Sequence, residues 1–203
     1  MMSELGIDPV SIDVGGVLQR SVATLYSHLV TRPTGRAVRL AIETQLAEVS
    51  GPALSLIDLS EVTVLDFSCA DEVVAKLLLR FLGEDRPGDA YFVLRGLRNQ
   101  HRDPITAVLE RHSLLAVVQL EGAGFELIGA RTEMEESTWE ILEEAGHVSA
   151  DCMVEMFPGE AERLALAQLV ARRVVIQHAD PDGYYALSSL ARDLPTPPSD
   201  AKE

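Results

Sequence analysis

Leu56-Ile57-Asp58-Leu59-Ser60-Glu61-Val62-Thr63-Val64-Leu65-Asp66-Phe67-Ser68-Cys69-Ala70 is the stretch on which the reading of this chain turns. It begins inside Ala53 to Leu59, a short, mostly apolar run that carries Asp58 near its end and reads as a buried-strand candidate. A second short apolar segment follows, Val62 to Phe67. Ala70 to Leu82 then sets Val73, Val74, Leu77, Leu78 and Phe81 at helical spacing, which predicts an amphipathic helix. A strand, a polar turn and a helix therefore succeed one another within thirty residues of Ala53.

The same rhythm extends both ways. Upstream, Val10 to Val14 alternate apolar and polar and run into Gly15-Gly16, a strand entering a turn. Ser21 to Val30 reads as a short helix, and Pro33-Thr34-Gly35 breaks it. Thr34 is expected to cap a new helix whose apolar face is Val38, Ile42, Leu46 and Val49. Gly51-Pro52 stops that helix. Downstream, Gly83 to Gly88 is a polar loop and Tyr91 to Leu94 a strand. Asp103 to His112 is a predicted helix, with Asp103 as cap and Pro104 in the first turn. Leu115 to Leu120 and Phe125 to Ile128 are strands joined through Glu121-Gly122-Ala123-Gly124. Alternating strands and helices over residues 1–130 predict an α/β domain, a sheet flanked by helices.

From residue 131 the rhythm changes. Ser137-Thr138-Trp139-Glu140 matches a capping box at the mouth of a helix that Gly146 ends, with Trp139 in its core face. Ser149 is expected to cap a second helix running to Met156. After Pro158-Gly159, Glu160 to Arg172 forms a third, with Leu164, Leu166, Leu169 and Val170 on or near its inner side. Val174 to Gln177 and Tyr184 to Leu187 flank Asp180-Pro181-Asp182-Gly183, a hairpin. Three helices and a hairpin over 131–194 predict a small winged-helix domain. The tail, 195–203, opens on Pro195-Thr-Pro-Pro-Ser-Asp and is expected to be disordered.

Charge narrows the partners. The chain carries 17 basic and 32 acidic side chains, net −15. Residues 1–130 hold 11 basic and 17 acidic, residues 131–203 hold 6 and 15, so the balances are −6 and −9. Both parts repel polyanions on average, against nucleic acid and anionic membranes. No apolar stretch approaches the ~20 residues that span a bilayer. Met1 to Pro9 lacks the parts of a signal peptide, and a cytoplasmic protein is expected. Cys69 and Cys152 read as two small buried thiols. His101 and His112 have a poor ligand spacing; His28, His147 and His178 read as surface or capping residues. No Walker loop, nucleophile elbow or dinucleotide fingerprint is present. No catalytic, cofactor or metal constellation is expected. The one basic island is Arg32, Arg36 and Arg39, joined by Arg20. It reads as a solvated helix face or as a surface for a phosphate or a partner's carboxylates.

The stretch quoted first resembles the signature of STAS domains, in which a buried strand ends in Asp-Leu-Ser and a later turn opens a helix. The resemblance covers about Ser55 to Leu120. It implies a regulatory domain that meets a partner at the Asp66 to Asp71 turn. In anti-sigma-factor antagonists of that family a serine there is phosphorylated by a kinase, which abolishes binding. Here Phe67 stands at the usual serine position, Ser68 takes the next, and Cys69 replaces the glycine. The candidate regulatory residues are Asp58, Asp66, Ser68, Cys69 and Asp71, with Ser68 as a helix cap first and a phosphoacceptor second.

The expected function is a non-enzymatic interaction module binding a kinase, an ATPase or another regulator; self-association stays open. The alternative is a transcription regulator using the winged helix on DNA, though Glu160, Glu162, Asp180 and Asp182 would face phosphates there. An enzyme built on Asp58, Asp66 and Ser68 comes last.

Overall fold

The structure, a computed structural model, describes residues 2, 4–22, 28–122, 124–179 and 181–192, and for 19–22 the backbone alone. The tail from residue 195, Asp180 and the arginine side chain at position 20 lie outside the described residues.

A mixed sheet carries the α/β fold. Its strands are β1 (Asp8–Asp13), β3 (Ala53–Asp58), β5 (Ala90–Arg95), β6 (Leu115–Gln119) and β7 (Phe125–Gly129), in that spatial order. The first four are parallel, and β7 turns back antiparallel on β6. A two-residue pair, β2 (His28–Leu29) with β4 (Val64–Leu65), lies apart from it. The crossovers are α1 (Val14–Val22) and α2 (Arg32–Ala47), then the helix of the opening stretch, then α5 (Asn99–Arg111). Strand order advances in one direction, so right-handed crossovers put all these helices on one face.

Period-two alternation makes two cores. Ala53 and Ile57 of β3, Phe92 and Leu94 of β5, and Ala116 and Val118 of β6 meet the crossover helices. Leu54, Leu56, Val93, Leu115, Val117 and Leu127 face the other way. There they join Trp139 and Leu142 of α6 (Glu133–Ala145), Leu166 and Leu169 of α8 (Glu160–Ala171) and Leu187 and Leu190 of α9 (Leu187–Ala191). Between α6 and α8 come β8 (His147–Ser149), a 3-10 turn (Ala150–Cys152) and α7 (Met153–Met156). β9 (Val175–Ala179) and β10 (Asp182–Ala186) complete an antiparallel sheet ordered β8-β10-β9. The C-terminal region thus forms the cover of the sheet's second face.

Arginines fasten that cover. Arg172 donates to the Ser113 and Ala130 carbonyls at 2.8 and 2.6 Å. Arg173 donates to the Ala90 carbonyl at 3.0 Å and stacks on Tyr91.

Several helix starts differ from the sequence expectation. Thr31, not Thr34, caps α2, and Pro33 falls in the first turn where no N–H is needed. α5 begins at Asn99 rather than Asp103, because the His101 ring nitrogen accepts the Arg98 N–H and closes the first turn. Pro104 consequently lies inside the helix. The capping box of α6 is Thr132 with Glu135, bonded both ways, and Ser137 and Thr138 sit within the helix. Gly15-Gly16 is part of α1, where burial of Val14, Val17 and Leu18 outweighs glycine's poor helix propensity. Leu164 of α8 points outward, while Leu166 and Leu169 point in. Cys152 is exposed, against the expectation of a buried thiol; Cys69 is buried.

Candidate functional site

The helix of the opening stretch runs through α3 (Phe67–Ala70), a π-helical turn (Asp71–Ala75) and α4 (Lys76–Leu82). Its first amides are capped by Asp66, whose Oδ1 accepts the Cys69 N–H at 2.8 Å and the Ser68 hydroxyl at 2.9 Å. Asp66 therefore takes the capping role expected of Ser68. A carboxylate there also complements the helix dipole. The Cys69 thiol, 3.0 Å from the Thr31 carbonyl, is pushed up to about 11 by burial and then by the nearby Asp66 charge, which disfavours the nucleophilic thiolate at neutral pH.

Three apolar side chains stand exposed around this turn. Phe67 is 58% exposed, Val30 46% and Val64 40%. Leu29 and Leu65 are in register across β2 and β4 and point inward. Val30 and Val64, each one residue away, therefore point outward. The Asp66 N–H donates to the Leu29 carbonyl, which ties the capped turn to the same edge.

Behind the turn lies a network of buried charge. A π-turn accommodates one extra residue, and Cys69 through Ala75 are all buried. α2 packs on one side of the turn and α5 on the other. Gly35 of α2 permits this: a Cβ there would stand 3.1 Å from the Cys69 Cα and the Glu72 Cβ. Asp71 accepts from Arg32 at 2.9 Å and meets His112 at 2.7 Å, with Lys76 at 3.5 Å. Glu72 meets Arg32 at 3.2 Å, Arg39 at 3.3 Å and Lys76 more closely. Burial alone would raise the Asp71 pKa, but bonds from His112 and Arg32 and the Lys76 charge outweigh it and hold it below its ordinary value. For Glu72 burial is likewise outweighed, by Lys76 and then Arg39, and its pKa also falls.

Two sets of candidate residues thus come together: Arg32 and Arg39 of the basic island neutralise Asp71 and its neighbour Glu72. Arg36 stays exposed, without an ion pair among the described residues. Asp58 bonds to none of this cluster. Level with Arg95 across β3 and β5, it accepts from the Arg95 Nε at 3.0 Å and from the Ser60 N–H at 2.9 Å. Gly96, at φ +68°, lets the two strand-end turns nest, since a Cβ there would lie 2.5 Å from the Ser60 nitrogen. Asp58 is a structural clamp with its oxygens engaged.

Glu72, Lys76 and Arg95 are not singled out by the sequence, and His112 enters there only as a poorly spaced metal ligand. Glu72 and Lys76 are four apart, a spacing that announces a helical ion pair. His112 and Arg95 meet their partners across about forty residues, and no local pattern marks them.

No helix among the described residues is long and apolar enough to cross a membrane, and none of their His, Cys, Asp and Glu groupings could hold a metal ion. No family model matches the chain, and neither a curated protein nor a solved structure does.

Proposed function

We propose that this protein is a non-enzymatic regulatory module of the STAS type, joined to a protein-binding winged helix, which binds a kinase, an ATPase or another regulator through the Asp66 to Asp71 turn. The observation that carries this reading is Phe67, a large aromatic side chain standing in solvent on the first turn of a capped helix. Aromatic anchors of this kind dominate protein interfaces. Val30 and Val64 extend the apolar area, and the Ser68 hydroxyl sits where added negative charge would act directly on a partner.

The order α6, β8, α7, α8, β9, β10 supports the winged-helix reading of the C-terminal region. DNA binding is disfavoured by where its arginines go. Arg163 folds back on the Phe157 and Pro158 carbonyls, Arg172 and Arg173 bond to the sheet domain, and the outward side of α8 presents Ala161, Leu164, Ala167 and Gln168.

The test is affinity capture from the native host, followed by calorimetry of the recovered partner against Ser68→Ala and Ser68→Asp. Ser68→Asp places a second carboxylate beside Asp66 and is expected to weaken the complex about tenfold, the equivalent of ~1.4 kcal/mol; Ser68→Ala is expected to leave it intact. Unchanged affinity for a folded Ser68→Asp removes this turn from the interface.

A further inference from the structure

Five large apolar side chains stand in solvent on the C-terminal region: Met134 and Ile141 of α6, Val154 and Met156 of α7, and Leu164 of α8. Val154 and Leu164 are 59% and 60% exposed. Met134 and Ile141 are two helical turns apart and share a stripe. α6 and α8 pack together, and Glu135 at the start of α6 bonds Arg172 just past the end of α8. The pair is therefore antiparallel, and the Ile141 end of α6 lies beside the Leu164 end of α8. α7 enters α8 after only Phe157, Pro158 and Gly159.

Exposed apolar residues are ordinary one at a time; the charge around these is not. Glu133, Glu140 and Glu144 of α6, Asp151 and Glu155 near α7, and Glu160 of α8 are exposed. None has an ion-pair partner among the described residues. The five arginines described between 131 and 192 are committed elsewhere. Arg131 holds Glu136, Arg192 holds Glu143, Arg163 caps the α7–α8 turn, and Arg172 and Arg173 hold the sheet domain. Around these apolar side chains the six exposed carboxylates outnumber the cations: Arg163, held by the Phe157 and Pro158 carbonyls, is the arginine nearest them on α8.

We propose that the outer face of α6, α7 and α8 docks a cationic amphipathic segment of a partner protein. Its apolar side would cover Ile141, Leu164 and Val154 while its lysines or arginines meet the unpaired carboxylates. A second copy of the chain suits the face poorly, because a net charge of −15 opposes self-association. The proposal is independent of the Asp66 to Asp71 turn.

The test is fluorescence anisotropy at physiological salt with a labelled peptide about 18 residues long, leucine and lysine placed on opposite helical faces. A second peptide has the same composition but no apolar face. The amphipathic peptide is expected to bind about tenfold more tightly than its rearranged partner. Ile141→Ser with Leu164→Ser, and separately Glu140→Lys with Glu144→Lys, are each expected to lose about tenfold, with Tm and circular dichroism showing a folded protein. Phe67→Ser should bind the peptide as the wild type does. Equal binding of the two peptides, or undiminished binding by both folded double variants, overturns the proposal. So does a dimer in sedimentation that Ile141→Ser with Leu164→Ser abolishes, which would assign the face to a second copy.

Discussion

At the scale of single residues, the start of α3 shows how one carboxylate organises a surface. Asp66 satisfies the Cys69 amide and the Ser68 hydroxyl together, and so holds Phe67 out on the first turn. Removing it should cost what lost N-caps cost. Asp66→Ala is expected to lower unfolding free energy by about 1 kcal/mol in urea titration. Ser68→Ala, which deletes only the bond to Asp66, should cost no more than about 1 kcal/mol. A larger loss from Ser68→Ala than from Asp66→Ala would mean that Ser68 rather than Asp66 carries the cap. The sequence pointed to Ser68 because a hydroxyl before a helix is a good cap; Asp66 is another, two residues earlier. Which wins depends on where the free amides point, and that geometry is set by the tie of Asp66 to Leu29.

At the scale of elements, α2, the π-turn and α5 are locked by charge in a buried setting. Asp71 and Glu72 both have folded-state pKa values below their ordinary ones. Their contribution is therefore complete above the unfolded carboxylate values, and is lost as pH falls through the lower folded ones. Stability should decline from about pH 5 downward. Asp71→Asn with Glu72→Gln should cost about 3 kcal/mol at pH 7, since charged hydrogen bonds contribute about 1.5–3 kcal/mol each, and should flatten that acid limb in urea midpoints. An unchanged acid limb would place the pH dependence in other carboxylates, such as Glu135 with Arg172. These elements were legible to different depths. The apolar run Ala53 to Leu59 announced β3, and Val38, Ile42 and Leu46 announced the inner face of α2, because burial follows local periodicity. The pairing of Arg32 and Arg39 with Asp71 and Glu72 was not legible: nothing within either segment says which lies opposite. The outward turn of Leu164 was missed for a similar reason. Several stripes of α8 are apolar, and only packing on α6 selects Leu166 and Leu169.

At the scale of the whole molecule, both faces of the sheet are covered, one by the crossover helices and the other chiefly by the C-terminal region, together with Leu5 and Ile7. Residues 1–130 alone would expose Leu54, Leu56, Val93, Leu115, Val117 and Leu127. Each buried aliphatic side chain contributes about 1.5–3 kcal/mol, so their sum rivals the ~5–15 kcal/mol by which domains are stable. That fragment is expected to aggregate or to bind hydrophobic dyes, whereas the full chain should unfold in one calorimetric transition. A soluble, cooperatively folded fragment would contradict the shared core. The change of rhythm near Gly129 was visible in sequence, but the packing of the two regions was not, because buried strands look alike whichever face is covered by a distant segment.

The charge distribution is also a whole-molecule property. With net −15 and the C-terminal arginines turned to internal acceptors, duplex DNA should give no tight complex by anisotropy in ~150 mM salt. Nanomolar, sequence-dependent binding would favour a transcription regulator instead.

The most direct test of the central claim is a calorimetric titration of the captured partner into the wild type and Phe67→Ser. Phe67 is exposed in the free protein, so the variant should keep the wild-type Tm. The account predicts at least about tenfold weaker binding, as expected for a central aromatic anchor. Identical affinity for wild type and variant would contradict it.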